Sequence, residues 1–386
     1  MPAVMTLSPE QEKAHEAILQ FFKDKKPQLT IGGYAGTGKT FLIAHTLNAI
    51  RELDKKKKIA LACFTGKAAF VLREKLSAAG ALADEYCGTI HGLMYRPIDD
   101  GEGNITWKRR DVLDADVVII DEASMVNEQI YSDLKQYGVP MLFIGDHGQL
   151  PPISGNLALM LNPDVMLVTI QRQAAENPII ALSKWVRENG SVPPGSEFKN
   201  GSGWNKIASS LHHLVGKVAD PGGAMFLCGY NRTRVFLNGA IRARLGFTMP
   251  HPEQGEKLIC LKNSREHGIF NGMGGLLKKL KEGPKDYWDT HIQMEDGTEF
   301  RGNVVKAQFG APATLRELEG FEPERLRELF DFGYALTVHK AQGSEADRVF
   351  MIEERFSGMD DETWRRWLYT GVTRARKHLT VISRVR

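Results

Sequence analysis

The sequence has few cysteines. The four are Cys63, Cys87, Cys228 and Cys260, and no two of them form a CxxC pair. This spacing argues against a structural zinc site and against a disulfide framework. We therefore expect a protein of a reducing cytoplasm.

Long apolar runs and a strong charge bias are also missing. No run approaches the ~20 apolar residues that a membrane span requires. The first residues, "MPAVMTLSPE", have no basic region followed by an apolar core, so we predict no secretory signal. The net charge of +3 permits a nucleic-acid partner without requiring one. The length of 386 residues favours two or three domains.

Short apolar runs alternate with helical patterns in the first half of the chain. The runs "LTIGG", "KIALACFT", "ADVVIIDEAS" and "VPMLFIGD" are typical of buried strands. Strands that alternate with helices predict an α/β fold with a parallel sheet covered on both faces. In such sheets the active site lies beyond the carboxyl ends of the strands. The carboxylates of Asp121, Glu122 and Asp146 follow strands in this way.

The second half predicts another parallel sheet. Its strand-like runs are "AMFLCGYN", "FGYALTVHKAQGS", "RVFMIEE" and "HLTVISR". Residues 189–204, rich in Gly, Ser and Pro, are predicted to form a loop before them. Two insertions are expected, a hairpin over residues 93–112 and a small antiparallel piece with an Asp-Gly turn around Val304.

The stretch "GYAGTGKT", residues 33–40, matches the phosphate-binding pattern GxxxxGK[ST]. Its glycines allow backbone N–H groups to surround phosphate oxygens, and the following helix presents its positive end to the same anion. Lys39 is expected to reach the β- and γ-phosphates, and Thr40 to ligate Mg²⁺. A simple glycine turn at a helix start would not explain the lysine. The residues predicted to bind ATP in this loop are Gly33, Ala35, Gly36, Thr37, Gly38, Lys39 and Thr40.

A pair of carboxylates ends the strand "VVIIDEAS". Asp121 is positioned to hold Mg²⁺ through water, and Glu122 to polarise the attacking water. The alternative is that Asp121 only caps the following helix. Hydrolysis also needs cations besides Lys39. The candidates are Arg172, Arg374 and Arg376, which spacing alone does not distinguish from surface arginines.

The order of these motifs resembles the superfamily 1 helicases, and within them the RecD-like and Dda-like superfamily 1B group. The likeness extends over nearly the whole chain, and its specificity comes from the series of motifs. In order they are "LSPEQ", "GYAGTGKT", "CFTGKAA", "TIH", "DEASM", "GDHGQLPPI", "IQRQ", "YALTVHKAQGSE" and "YTGVTRAR".

The resemblance implies two RecA-like domains, residues 1–175 and 176–386, with ATP in the cleft between them. Both domains would then grip the γ-phosphate, and opening and closing of the cleft would drive the motor. One chain would complete an ATP site, so we expect a monomer. The residues to which the resemblance assigns roles in the nucleotide site are Gln11 for adenine, Gln149 for the γ-phosphate, Arg172 and Arg374 as arginine fingers, and Gly343 and Glu345 near the nucleotide.

The resemblance also implies contacts with single-stranded DNA. The residues it indicates are Thr65, His91, Asn231, Thr337 and His339, mostly short polar side chains suited to phosphate oxygens. Such contacts ignore base identity, as a motor that steps over any sequence requires. Simpler interpretations are a helix cap for Thr65, a core histidine for His91 and a turn residue for Asn231.

The insertions acquire roles from the same resemblance. The hairpin at 93–112 would be the wedge that separates duplex DNA, with Ile105 and Trp107 available to stack on the terminal base pair. Trp107 would otherwise pack the hairpin onto its own domain. The insertion at about 272–332 would be a small SH3-like unit that braces the wedge.

The segment "QLPPISGN" predicts the direction of movement. It offers none of the base-stacking aromatics of the 3′-to-5′ branch and resembles the 5′-to-3′ branch. We therefore expect an ATP-dependent 5′-to-3′ DNA helicase that acts at duplex junctions. An RNA helicase, a nucleotide-switched single-strand-binding ATPase and a P-loop kinase remain alternatives, and the pathway (replication, recombination or repair) stays open.

Overall fold

The computed structural model describes residues 6–99, 105–151, 159–171, 176–264, 267–315 and 328–384. The chain divides into two compact units, residues 1–175 and residues 176–386. Among the described residues, no helix is both long and apolar enough to cross a lipid bilayer.

The first unit is built on a sheet of six parallel strands in the order β3-β2-β6-β7-β1-β8. The central strands are apolar runs whose side chains are almost all buried, because helices and apolar clusters cover both faces of the sheet. The strands are β1 (Gln28–Gly33), β2 (Ile59–Cys63), β3 (Tyr86–Thr89), β6 (Val117–Asp121), β7 (Met141–Gly145) and β8 (Val165–Leu167). The helices are α1 (Pro9–Lys23), α2 (Lys39–Leu53), α3 (Gly66–Ala78), α4 (Ile90–Met94) and α5 (Glu128–Lys135).

An antiparallel hairpin lies outside this sheet, between α4 and β6. Its strands are β4 (Tyr95–Asp99) and β5 (Ile105–Arg109), and Tyr95 pairs with Arg109 at its base. The backbone of both strands belongs to the described part of the chain, whereas the side chains of Ile105 and Trp107 do not.

The second unit contains a six-stranded sheet in the order β17-β11-β18-β19-β10-β9. All neighbours are parallel except β9 and β10. The strands are β9 (Gly195–Lys199), β10 (Ser202–Ser209), β11 (Met225–Cys228), β17 (Ala335–Thr337), β18 (Ala346–Ile352) and β19 (Ala375–Arg384). The helices are α6 (Pro178–Asn189), α7 (Leu211–Lys217), α8 (Asn231–Arg244) and α9 (Asp361–Val372).

The prediction of a loop over residues 189–204 is wrong. That segment contains β9 and the start of β10, which form a hairpin. The tight turn uses two left-handed residues, Asn200 with φ 52° and Gly201 with φ 76°, as two-residue hairpin turns require. The glycines and serines that predicted a loop therefore belong to a turn and an exposed edge strand.

A five-stranded antiparallel sheet is inserted in the second unit, in the order β15-β14-β13-β12-β16. It begins at Lys257, earlier than the predicted residue 272, because β12 pairs with both β13 and β16. Val304 of β15 also forms a bridge with Glu328, just before β16, so the two edges of the sheet meet. An SH3-like class for this sheet stays a prediction. The strands are β12 (Lys257–Cys260), β13 (Gly274–Glu282), β14 (Tyr287–Met294), β15 (Glu299–Val305) and β16 (Phe330–Phe332).

Candidate functional site

The carboxyl ends of the parallel strands in the first unit lie level with one another. Cys63 at the end of β2 pairs in register with Asp121 of β6 and with Thr89 of β3. Gly32 of β1 pairs in register with Gly145 of β7. The loops that follow these strands therefore leave the sheet at one edge, where ligands of such sheets bind. These loops contain the predicted residues at 33–40, 65, 121–122 and 146–149.

The phosphate loop has the backbone shape that its glycines allow. Gly36 and Gly38 have φ values of 80° and 81°, in the left-handed region. A Cβ atom on Gly38 would also lie 2.4 Å from Nε2 of Gln11. Helix α2 begins directly after Gly38 and has no side-chain cap. Its first N–H groups are thus directed toward the loop, as anion binding requires.

Lys39 bends back over this loop. Its Nζ donates to the carbonyl oxygens of Gly33 at 2.8 Å and Tyr34 at 3.2 Å. The hydroxyl of Thr37 donates to the same Tyr34 carbonyl at 2.8 Å. The ammonium group therefore lies within the loop, and Thr40 follows it in the first turn of α2.

Gln11 joins the first helix to the phosphate loop. Its side chain is buried, and its Nε2 donates to the carbonyl oxygen of Thr37 at 3.0 Å. Its Oε1 accepts from the N–H of Ser8 at 2.9 Å, which completes the capping box of α1. This amide holds the loop from one side, and its contact with adenine stays a prediction.

Asp121 and Glu122 leave β6 in different backbone conformations. Oδ1 of Asp121 accepts from the N–H of Glu122 at 2.9 Å. Burial raises the pKa of the Asp121 carboxyl, and the nearby charge of Lys39 opposes that shift. Asp121 does not cap the following helix, because Asn127 caps α5 by accepting from Ile130 N at 3.0 Å. The capping interpretation of Asp121 is therefore wrong.

The loop after β7 carries Asp146 and Gln149, both buried. Asp146 Oδ1 accepts from the N–H of Gly148 at 2.9 Å, and the backbone N–H of Gln149 donates to the Asp146 carbonyl at 3.2 Å. Sequence reasoning missed a contact between this loop and the phosphate loop. The rings of His147 and Tyr34 lie 3.9 Å apart between centroids. The one signal in the sequence for this contact is that both residues lie in loops that follow strands of the same sheet.

This set of groups fits a nucleoside triphosphate with Mg²⁺. The loop supplies backbone N–H donors and an ammonium group, and Thr40 and Asp121 supply oxygen ligands. Mg²⁺ keeps several waters and needs only one or two protein carboxylates, and Asp121 offers one at this edge of the sheet.

In the second unit, Arg374 lies against the loop that precedes β18. Its guanidinium group is buried and donates from Nε to the Thr370 carbonyl at 2.9 Å and from Nη1 to the Ser344 carbonyl at 3.2 Å. Gly343, with φ 73°, and the exposed Glu345 flank Ser344. The structure thus brings together Arg374, Gly343 and Glu345.

Arg376 differs from Arg374 in its surroundings. It is exposed and forms an ion pair of 2.6 Å with Asp347. Arg172 lies outside the described residues.

The predicted DNA contacts of the second unit lie at the opposite edge of their sheet. Thr337 ends β17 level with Cys228 of β11, and His339 and Asn231 follow these two strands. Arg374 and Gly343, in contrast, precede β19 and β18, at the amino ends of the strands. Burial lowers the pKa of His339.

A buried carboxylate that sequence reasoning missed holds the start of α8. Glu354 accepts from the N–H groups of Gly229 at 2.9 Å and Tyr230 at 3.2 Å and from the hydroxyl of Thr233 at 2.7 Å. Asn231 lies between these groups and is exposed.

Two predicted DNA contacts belong to the first unit. Thr65 caps α3 by accepting from Ala68 N at 3.2 Å, as its simpler interpretation held. His91 is exposed and stacks on Tyr95 at 5.7 Å, so the interpretation as a core histidine is wrong. The DNA contacts of both residues stay predictions.

Comparison with known proteins follows the same division of the chain. The profile of an AAA domain matches residues 14–155, and that of the UvrD-like helicase C-terminal domain matches residues 332–382. The RecBCD enzyme subunit RecD of Buchnera aphidicola is 38% identical over 429 aligned residues, which cover 92% of this chain and 69% of that protein. The chain belongs to the RecD-like superfamily 1B helicases. This result confirms the resemblance found in the motifs.

Other relatives of this RecD-like chain agree. The ATP-dependent RecD2 DNA helicase of Deinococcus radiodurans is 28% identical over 90% of this chain, although the match spans only 46% of that relative. The crystal structure of the Pif1 helicase from Bacteroides in complex with ADP-AlF3 and ssDNA is 17% identical, with a TM-score of 0.57, over 97% of this chain and 92% of that one. The likeness confirms the predicted α/β fold with two RecA-like domains.

Proposed function

We propose that this RecD-like chain is an ATP-dependent DNA helicase that moves 5′ to 3′ along single-stranded DNA and separates duplex ahead of it. The observation that carries the proposal is the meeting of the phosphate loop, Asp121, Glu122 and Gln149 at one edge of a parallel sheet. The names of the relatives support it, since the Deinococcus protein is an ATP-dependent DNA helicase and the Bacteroides Pif1 was crystallised with ADP-AlF3 and ssDNA.

ATP is the substrate, and the loop residues have separate tasks in binding it. Lys39 exchanges its carbonyl partners for the β- and γ-phosphates, because its positive charge interacts more strongly with charged phosphate oxygens than with neutral carbonyl oxygens. The backbone of Gly33, Ala35, Gly36, Thr37 and Gly38 surrounds the phosphates. Thr40 and Asp121 would hold Mg²⁺, which would supply positive charge beside the phosphates. Glu122 orients the attacking water, and Gln149 responds to the γ-phosphate.

Further cations and a coupling to DNA complete the proposal. Arg172 and Arg374 stabilise charge on the γ-phosphate, and Gln11 contacts the adenine. A single segment, "TVHKAQGSE", runs from Thr337 and His339 at one edge of the second sheet to Gly343 and Glu345 at the other. This segment connects the strand-binding residues with the nucleotide.

The decisive experiment is ATP hydrolysis with and without single-stranded DNA, measured beside Lys39→Ala. We expect DNA to stimulate the intact protein. Loss of a cation on the transferring phosphate should cost ~3 kcal/mol, about a 100-fold fall in kcat. Lys13→Ala, at an exposed position on α1, is the matched control and should leave the rate unchanged.

The alternatives make different predictions in this assay. A P-loop kinase would hydrolyse ATP at a rate indifferent to DNA. A nucleotide-switched binding module would be stimulated by DNA yet displace no roadblock from the strand. Normal hydrolysis by Lys39→Ala would refute the assignment of the site.

A further inference from the structure

Two segments with predicted DNA contacts lie side by side in the second unit. Strands β11 and β17 are neighbours, with Cys228 level with Thr337, and Val338 N donates to the Cys228 carbonyl at 3.0 Å. Asn231 begins α8 just after β11, and His339 follows β17. Contacts that hold the loops at this edge therefore also position the residues predicted to bind single-stranded DNA.

Arg234, one turn further along α8, contacts Asn231 directly. Its side chain is buried, and its Nε donates to Oδ1 of Asn231 at 3.2 Å. When Oδ1 accepts a hydrogen bond, the plane of the amide is fixed and the amino group becomes the outward donor. A donor is what a phosphate oxygen needs. Arg234 is too buried to touch DNA itself, so its effect would pass through Asn231.

The other nitrogens of Arg234 bind the inserted sheet. Nη1 donates to Oδ2 of Asp331 at 2.6 Å, and Nη2 donates to the Ala311 carbonyl at 2.6 Å. Asp331 lies in β16, is buried, and accepts with Oδ1 from the N–H groups of Gly310 and Phe332, both at 2.8 Å. One guanidinium group thus joins the start of α8, the inserted sheet and the loop at residues 310–311.

The same loop reaches the second DNA-contact segment. We call residues 308–315 the connecting loop. Thr314, which is buried, accepts from Nζ of Lys340 at 3.0 Å, and Lys340 follows His339. Buried Gln308 closes the loop internally, since its Nε2 donates to the Ala313 carbonyl at 3.3 Å and its Oε1 accepts from Leu315 N at 2.9 Å.

We propose that Arg234, Asp331 and the connecting loop are positioning groups for single-stranded DNA, through which the inserted sheet sets the orientation of Asn231 and of the 337–340 segment. This inference rests on the proposed function, because it presumes that these segments bind the strand. According to this proposal, the inserted sheet influences the affinity of the second unit for single-stranded DNA.

The test is the Kd for a fluorescently labelled single-stranded oligonucleotide, measured on the full chain without nucleotide. The main variant is the double substitution Arg234→Met/Asp331→Leu, because replacing both partners of a buried pair with apolar residues of similar size preserves folding better than removing one. We expect Kd to rise about tenfold, the size of one lost hydrogen bond to a charged group. Asn231→Ala should raise it equally, and the triple variant no further, because all three changes remove the same contact.

A matched control exists on the same helix. Arg242 and Glu256 form another buried ion pair between α8 and the entry to β12, with 2.6 Å between Nε and Oε1. The double substitution Arg242→Met/Glu256→Leu should leave Kd within about twofold, because this pair does not contact Asn231. If both double substitutions raise Kd equally, the role of Arg234 is purely structural and the proposal is overturned. The proposal is also overturned if the triple variant raises Kd by the sum of the Asn231 and Arg234/Asp331 effects in free energy.

A less disruptive variant tests the proposal if Arg234→Met/Asp331→Leu fails to fold. Thr314→Val removes only the acceptor of Lys340, and we expect Kd to rise about two- to threefold. The DNA concentration for half-maximal stimulation of the ATPase should also rise. An unchanged Kd would refute the role of the connecting loop. If the unmodified protein binds no single-stranded DNA, it is the proposed function that fails.

Discussion

Glu122 carries the strongest sign of a functional constraint on a single residue. Its backbone is left-handed, with φ 54° and ψ 38°, which glutamate seldom adopts. Such a conformation costs roughly 1–2 kcal/mol. Strain of this kind persists where neighbouring structure enforces it, and it is frequent at active sites. Here it turns the chain at the end of β6, so that two consecutive carboxylates are available for separate tasks.

His15 shows how the packing behind the phosphate loop depends on pH. It lies on α1, with its ring centroid 4.8 Å from that of His45 on α2. Burial, and then the charge that His45 would carry, lower the pKa of His15 below its ordinary value near 6.5. Its Nδ1 is buried and has no hydrogen-bond partner in the described part of the chain. Protonation therefore disfavours the folded state.

Stability should consequently fall with acidification below about pH 6.5. The unfolded chain binds a proton at the ordinary pKa of histidine, while the folded chain resists it, so the free energy of unfolding rises with pH across this window. We expect His15→Leu to lose less stability than the unmodified protein between pH 6.5 and pH 5, measured as the midpoint of urea unfolding. His213→Leu, at an exposed histidine, should show the same change of the unfolding midpoint with pH as the unmodified protein. If the midpoint changes equally with pH in all three proteins, this explanation is wrong.

At the scale of elements, the β4–β5 hairpin is held at its base by the segment around α5. The guanidinium carbon of Arg109 lies 4.7 Å from the ring centroid of Tyr137. The Tyr137 hydroxyl donates to the Met94 carbonyl at 2.9 Å, and the Tyr95 hydroxyl donates to Asp133 at 3.2 Å. These contacts fix the direction in which the hairpin leaves the domain.

We predict that Arg109→Ala uncouples strand separation from ATP hydrolysis. The substitution removes a cation–π contact worth about 0.5–1 kcal/mol at a partly exposed site and loosens the proposed wedge. Duplex unwound per ATP should fall severalfold, while DNA-stimulated hydrolysis stays near normal. Lys108→Ala, at the exposed neighbouring position of β5, controls for lost charge and should unwind normally. Equal loss of hydrolysis in Arg109→Ala would place the defect in the nucleotide site instead.

Elements with one dominant local signal could be predicted from the sequence. The four central strands of the first sheet, β1, β2, β6 and β7, are almost uniformly apolar runs and were correctly predicted. The β9–β10 hairpin was missed because β9 is exposed along its length and carries no apolar alternation. Strand β12 was not assigned to the inserted sheet, because pairing with β16 joins residues far apart in the sequence.

At the scale of the whole molecule, the candidate site could be predicted where chemistry is written in contiguous motifs. The phosphate loop and the strand-end carboxylates belong to that class, and they meet at one edge as expected. The contacts of Glu354 with the start of α8 and of Arg234 with Asp331 were not predicted. A buried charge has no sequence signature of its own, because the fold determines its partner. The partner of Arg234 lies 97 residues further along the chain.

The direction of movement is a property of the whole chain. The segment "LPPISGN" after the GDHGQ motif contains no aromatic residue. A motor that instead holds the strand through phosphate contacts needs no stacking platform there. The contacts proposed for Thr65, Thr337 and His339 would be of that kind.

We therefore predict that the protein unwinds a DNA duplex with a single-stranded 5′ tail and leaves one with a 3′ tail intact. The measurement is displacement of a fluorescent strand at equal tail lengths, with ATP and Mg²⁺. Lys39→Ala should displace neither, which excludes passive melting. A 5′-tailed RNA duplex tests the remaining alternative, an RNA helicase. Such an enzyme contacts the 2′-hydroxyl and would prefer the RNA substrate. Displacement confined to the 3′ tail would refute the polarity. It would not refute the ATP site, because the phosphate loop, Asp121 and Glu122 do not depend on the direction in which the DNA strand lies.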